Sequence, residues 1–409
     1  MPQVLGETID PRSLGHRLQA ARKARGLTQQ QAADEISAAR TTITALEKGE
    51  RRARPEELVK LAILYERQVG DFVGPKRPIV DFSTQFRTAN SHSKSAARPR
   101  ELMNVIKEFQ TLCENYLFLE QIHDLEIEPN YPTQYKTAGI APETSARDIS
   151  FAERSRLGIG DGPVHGLREI LEQDVGIRVF SFDMPPRVAG IFGYTEELGG
   201  CIAVNASHPA ERRRWSLAHE FGHFLSTRFN PEITFLGVHR RVPASERFAD
   251  AFAACFLMPE QGLRRRLNEL VQIGGGSITA ADICRIAHYY FVSFQAMTLR
   301  LEELGILNRG TWERLRERGF KVREAQDQLK LPEHPPDVRA LPIRYEFLAI
   351  RAFEMGDLTE GQLANLLRTD RISARQLVQH LSSSVHLLDK GEFETLQIPL
   401  AGKLVARQT

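Results

Sequence analysis

Residues 212–225 read RRRWSLAHEFGHFL, and the organisation of the middle of the chain follows from them. The motif HEFGH, with WSLA before it and FL after it, lies in a run that is half apolar and helical in pattern. Positions four apart share one helix face, so His219 and His223 are neighbours and Glu220 lies beside them. Two imidazoles at that spacing can reach one Zn²⁺ at about 2.0–2.1 Å and leave a coordination position open. Glu220 is then placed as the general base, taking the proton of an attacking water whose pKa the metal has lowered toward ~7.

Such a site needs a third protein ligand. Glu246 lies 23 residues after His223 and opens ERFADAFAACFLMP, a second helical run in which Asp250 falls one turn later on the same face. Glu246 completes a two-histidine, one-glutamate set, and Asp250 is placed to accept a hydrogen bond from a ligand imidazole and fix its tautomer. Two rival readings stand beside this one: an acidic stripe facing solvent on an amphipathic helix, and His239, from the segment after Gly237, as the third ligand. Upstream, Ile177–Phe182, Ala189–Phe192 and Cys201–Val204 are short β-favouring runs bounded by Gly and Pro. Helical patterns cover Arg147–Leu157, Val164–Gln173, Arg212–Ser226, Ser245–Met258, Ala280–Tyr290 and Phe294–Gly305. A small sheet followed by helices makes 145–308 an α+β domain.

This region resembles the ImmA/IrrE-type metallopeptidases through AERSRLGIGDGP, CIAVN, RRRWSLAHEFGHFL, ERFADAFAACFLMP and VSFQAMTLRLEELGIL, in that order. The resemblance implies a gluzincin-like, zincin-type fold with His219, His223 and Glu246 as zinc ligands and Glu220 as catalytic base. It also implies a regulatory endopeptidase, since relatives cleave repressors of the helix-turn-helix class. Tyr194, His208 and His239 are candidates for stabilising the transition state. Asn205 is read as a turn residue, with orientation of substrate backbone as the alternative.

Toward the N-terminus, apolar residues recur at helical spacing from Leu14 to Tyr65, with Thr28 as a helix N-cap and Gly49 as a C-terminal glycine. Residues 12–60 hold 11 Lys+Arg against 6 Asp+Glu, although the whole chain nearly balances at 54 against 52. That local excess attracts phosphate. The stretch LGHRLQAARKARGLTQQQAADEISAARTTITALEKGERR resembles the XRE/Cro-type helix-turn-helix, through Thr28-Gln29, Ala32, Ile43 and Glu47-x-Gly49. By that resemblance residues 1–75 bind duplex DNA, with Gln29 on the backbone and Arg40, Thr41, Thr42 and Thr44 facing the major groove. A helical protein-interaction module with a basic face is the competing reading.

Residues 76–144 read as a linker and helical connector: a polar stretch at 83–99, a long helix from about Glu101 to Glu126, and a Pro/Gly-punctuated loop over Glu128–Ala146. Residues 309–409 read as a helical C-terminal region, with the proline-rich LPEHPPDVRALP leading into helices from Ile343 to Leu388. Within it, LTEGQLANLLRTDRISARQLV looks like a further small helix-turn-helix or docking element. The expected architecture is therefore multidomain: an all-α helix-turn-helix domain, an α+β zincin-like metallopeptidase domain and a helical C-terminal region. Cys113, Cys201, Cys255 and Cys284 form no CxxC pair, which suits buried thiols in a reducing compartment. Glu7 and Asp10 precede any apolar run, and Ala251–Met258 is too short to span a membrane, so a cytoplasmic protein is expected.

The expected partners are duplex DNA and a protein substrate of the repressor class, with no membrane; a homodimer is compatible with the helix-turn-helix. Two further function classes compete with a DNA-binding protease. One is a transcriptional regulator whose peptidase-like domain senses a ligand, and the other an antitoxin that uses the same domains only for binding. A loss of Glu220 or of either histidine would favour them, and all three residues are present.

Overall fold

The computed structural model describes residues 11–65, 67, 69, 72, 99–125, 129–229, 232–235, 242–273, 277–334 and 339–379. The chain divides into two compact units, Met1–Pro78 and Ile79–Thr409.

The first unit packs α1 (Pro11–Ala24), α2 (Gln29–Glu35), α3 (Arg40–Glu47) and α4 (Pro55–Leu64) around a core that includes Leu18, Ala32, Ala33, Ile43, Leu46, Leu61 and Tyr65. Thr28 caps α2 as expected: its hydroxyl accepts from the Gln31 amide at 3.2 Å, and the Gln31 side chain accepts from the Thr28 amide at 2.8 Å. Gly49 sits just past α3 with φ 70°, and a Cβ there would lie 2.6 Å from the Arg12 backbone. That position therefore demands glycine twice over, for its left-handed backbone and for its close neighbour.

The second unit is a mixed sheet between two helical layers. Strands β1 (Arg178–Phe182), β2 (Val188–Thr195), β3 (Gly199–Asn205) and β4 (Glu232–Phe235) are ordered β1-β3-β2-β4, with β1 parallel to β3 and the other pairs antiparallel. Side chains alternate faces along each strand. Val179, Phe192, Ile202 and Val204 point into one core with Phe221, Phe224, Phe252 and Phe256, whereas Phe180, Phe182, Ile191, Cys201, Ala203 and Ile233 point into another.

The first core is covered by α6 (Pro142–Arg156), α7 (Ala210–Thr227), α8 (Ala244–Leu257), α9 (Glu260–Ile273), α10 (Ala280–Tyr289) and α11 (Phe294–Glu303). The short helices α12 (Thr311–Glu317) and α13 (Val322–Gln328) add Trp312, Leu315, Val322 and Ala325 to its rim. The second core is closed by α5 (Pro99–His123), α14 (Ile343–Glu354) and α15 (Glu360–Leu366). Phe109 and Tyr116 of α5 meet Phe180 edge-on at 6.5 and 6.3 Å. Among the described residues, no helix is long and apolar enough to cross a membrane.

Several local expectations differ from what the structure shows. The loop expected over Glu128–Ala146 ends early, because α6 starts at Pro142, whose missing N–H is harmless in a first turn. The helix expected at Val164–Gln173 is a short α-turn, Leu167–Glu169, running on into a π-helical Ile170–Val175. Helix α5, read as a connector, packs across the sheet, and the LTEGQLANLL element supplies Leu358, Leu363 and Leu366 to the same core. The polar stretch 83–98, the His239 segment and residues 380–388 lie outside the described residues.

Candidate functional site

Helices α7 and α8 pack face to face, and the contact runs through Gly222, the interior glycine of HEFGH. A Cβ there would stand 3.2 Å from the Ala249 Cα and 3.2 Å from the Phe252 ring. Glycine within a helix costs about 1 kcal/mol relative to alanine; here it lets the two backbones approach closely enough for Glu246 and Asp250 to reach the histidines. Sequence reasoning did not single it out, although a glycine inside a helical pattern is itself a signal of close approach.

His219 and His223 are buried, and their Nε2 atoms face each other at 3.1 Å. Glu246 completes the triangle, its Oε2 3.4 Å from His219 Nε2 and its Oε1 3.7 Å from His223 Nε2. A tetrahedral ion with ligands at about 2.0–2.1 Å sets its ligand atoms about 3.3 Å apart, so these three separations fit zinc. His219 Nδ1–H donates to Asp250 Oδ1 at 2.9 Å, which turns the lone pair of Nε2 toward Glu246 and His223. The tautomer of His219 is thus set by one hydrogen bond.

The electrostatics say the same of the pair. Burial opposes a charge on both rings. At His219 the hydrogen bonds it donates to Asp250 and Glu246 outweigh burial and raise its pKa to about 10, while burial and the neighbouring His219 push His223 down to about 3. Two facing nitrogens accept one proton between them in the metal-free protein, and a dication would take that proton's place. Glu220 is fully buried on the side of α7 that faces β2.

Three of the other candidates make contacts within the fold. Asn205 is buried, and its amide donates to the Met184, Pro185 and Val188 carbonyls at 3.1, 3.2 and 2.8 Å while its oxygen accepts from the Met184 and Ser207 amides. It clamps the chain entering β2 to the end of β3, which agrees with the turn reading. His208 is buried, with Nε2 2.9 Å from the Pro186 carbonyl. Tyr194 meets the rings of Tyr131, Phe224 and Phe229, and Arg228 lies over Tyr194, Tyr131 and Phe224. His239 lies outside the described residues.

In the first unit the sequence-selected residues gather on α2 and α3. Arg40 and Thr41 are exposed at the start of α3, and Thr42 and Thr44 are half-buried. Thr44 Oγ1 donates to Gln29 Oε1 at 3.3 Å, and Gln29 Nε2 donates to Glu47 Oε2 at 2.9 Å. Glu47 is buried against Arg22, with Nε and Nη2 at 2.5 and 3.0 Å. Burial opposes its charge, yet Arg22 and Gln29 hold the carboxyl below its usual pKa. This network locks α3 onto α1 and α2; the sequence gives no hint of it, because its members lie 15 to 25 residues apart.

A cluster of two buried histidines and a half-buried glutamate on a helix pair beside a small mixed sheet marks the second unit, and the first unit is a separate bundle of four helices. Residues 172–302 match the IrrE N-terminal-like domain, and residues 18–72 match the helix-turn-helix family. The chain thus joins an XRE-type helix-turn-helix to an ImmA/IrrE-type peptidase domain. No curated protein matches it. Among solved structures, ComR from Streptococcus suis is 9% identical, covering 93% of this chain and 91% of that chain, with a TM-score of 0.16. PlcR from Bacillus thuringiensis, solved with the peptide PapR7 and DNA, is 10% identical, covering 93% of this chain and 97% of that chain, with a TM-score of 0.17. Scores this low say nothing of how this chain folds or acts.

Proposed function

We propose that the chain is a DNA-binding zinc metalloendopeptidase that acts in transcriptional regulation by cleaving a helix-turn-helix repressor or a similar regulatory protein. The observation that carries this reading is the convergence of His219 Nε2, His223 Nε2 and Glu246 at 3.1–3.7 Å, with Asp250 fixing the His219 tautomer. His219, His223 and Glu246 hold the ion. A bound zinc supplies Lewis acidity at the scissile carbonyl and acidifies water. Glu220 takes the proton from the attacking water and returns it to the leaving amine. The phenyl rings of Phe221, Phe224 and Phe252, all fully buried, pack the helix pair that carries the site.

In the first unit, Arg40 and Thr41 present a cation and a hydroxyl at the start of α3, suited to phosphates and base edges in the major groove. Thr42 and Thr44, half-buried on the same helix, and Gln29, held by Glu47 at the start of α2, complete the set of contacts that the helix-turn-helix reading assigns to DNA. Purified chain carrying about one zinc per molecule is expected to cut a helix-turn-helix repressor offered as substrate, and to stop when a chelator removes the metal. A zinc-loaded chain that binds that repressor without cutting it points instead to a regulator or antitoxin that uses the peptidase-like domain for binding alone. Arg40→Ala is expected to weaken binding of the chain's own promoter DNA and to lower the salt slope by about 0.9, the share of one phosphate contact.

A further inference from the structure

Strand β2 passes directly beneath Glu220, and the residue at the crossing is Gly190. A Cβ built on Gly190 would lie 2.5 Å from Glu220 Oε1, 3.0 Å from its Cγ and 3.1 Å from its Cδ. Real Cβ atoms do not approach heavy atoms so closely, so the carboxylate occupies the volume that any other residue would fill. The backbone of Gly190 has no left-handed φ. What demands glycine here is therefore the neighbour and not the chain conformation.

The placement of Gly190 is itself controlled. The pairing of β2 with β4 is regular from Phe192 back to Gly190 and then shifts: Gly190 faces Thr234, while Val188 faces Phe235, leaving Ala189 as an extra residue. Such a bulge re-aims the strand beside it. On the other edge the strand is pinned by Asn205, whose amide donates to the Val188 carbonyl at 2.8 Å and to the Met184 and Pro185 carbonyls just before it. Clamp, bulge and glycine follow one another along seven residues and end at the Glu220 carboxylate.

We propose that Gly190 is a positioning residue for Glu220: the missing side chain, held in place by the bulge and the Asn205 clamp, sets where the carboxylate lies relative to His219 and His223. This rests on the reading of Glu220 as the base, but the contact itself can be tested without metal or activity. The experiment is a thermal-unfolding cycle on metal-free full-length protein, comparing the original chain, Gly190→Ala, Glu220→Ala and the double variant. Gly190→Ala is expected to lower Tm by about 3–6 °C when Glu220 is present and by about 1 °C or less when Glu220 is alanine, since the overpacking then disappears.

Should Gly190→Ala alone fail to fold, a folded double variant gives the same answer. Equal Tm losses in the two backgrounds, or failure of both variants to fold, overturn the proposal. On zinc-loaded protein, Gly190→Ala is expected to keep its metal and a KM within about twofold while kcat falls ~100-fold, the scale of an ångström's displacement of a reacting group. A parallel loss of zinc contradicts a role through Glu220. If the original chain cuts no substrate, the peptidase reading fails, and the unfolding cycle still decides whether Gly190 places Glu220.

Discussion

Glu47 in the first unit and Glu246 in the second are carboxylates set against buried partners, and the partners are of opposite kinds. Glu47 faces donors: Arg22 at 2.5 and 3.0 Å and Gln29 at 2.9 Å. Glu246 stands 3.4 and 3.7 Å from the Nε2 atoms of two imidazoles that also face each other at 3.1 Å. The first arrangement is complete within the protein and fastens α3 to α1 and α2. The second gathers lone pairs, which only a proton or a cation can reconcile, and so it is built for binding. A buried charge that is already answered marks structure; converging acceptors mark a site.

The comparison breaks if the two glutamates respond alike to removal. Glu246→Ala is expected to abolish zinc binding at ordinary metal concentrations while leaving the metal-free fold intact, as read by metal analysis and unfolding of the full chain. Glu47→Ala is expected to do the reverse. It strands Arg22 in the core, a change that costs about 3–5 kcal/mol for a buried pair, and amide exchange across α1 to α4 should accelerate accordingly while zinc content stays at one. Zinc loss in Glu47→Ala, or a destabilised but zinc-replete Glu246→Ala, would reverse the two roles.

A smaller effect sharpens the same contrast. Asp250 touches the site through His219 Nδ1, and its side chain is 59% exposed, so solvent moderates its pull. Asp250→Asn is expected to weaken zinc or activity ~10–100-fold and to retain the metal when it is plentiful. If Asp250→Asn loses zinc outright and Glu246→Ala keeps it, the third ligand is one helical turn further on.

The site was legible in the sequence because both of its helices are amphipathic and their functional residues repeat every four positions, as in His219 to His223 and Glu246 to Asp250. Strands β1 and β3 were legible because Ile177–Phe182 is rich in β-favouring residues and Cys201–Val204, buried on both faces, is a continuous apolar run. Strand β4 was not, being four residues long. Neither were α12 and α13, which bury no residue fully and read as charged surface. Helix α5 was visible as a helix but not as a wall of the fold, since periodicity names a face and never its partner. Gly222 and Gly190 were missed because close approach is a property of two segments, and a single chain read in order shows only one.

The central claim, that His219, His223 and Glu246 hold a zinc ion on which Glu220 acts as base, is tested most directly by zinc content and cleavage measured together on Glu220→Gln. The amide keeps the size of the side chain and removes its basicity, so about one zinc per chain with intact folding and no detectable cleavage is the predicted result. Loss of the zinc in Glu220→Gln, or cleavage at the original rate, would contradict it.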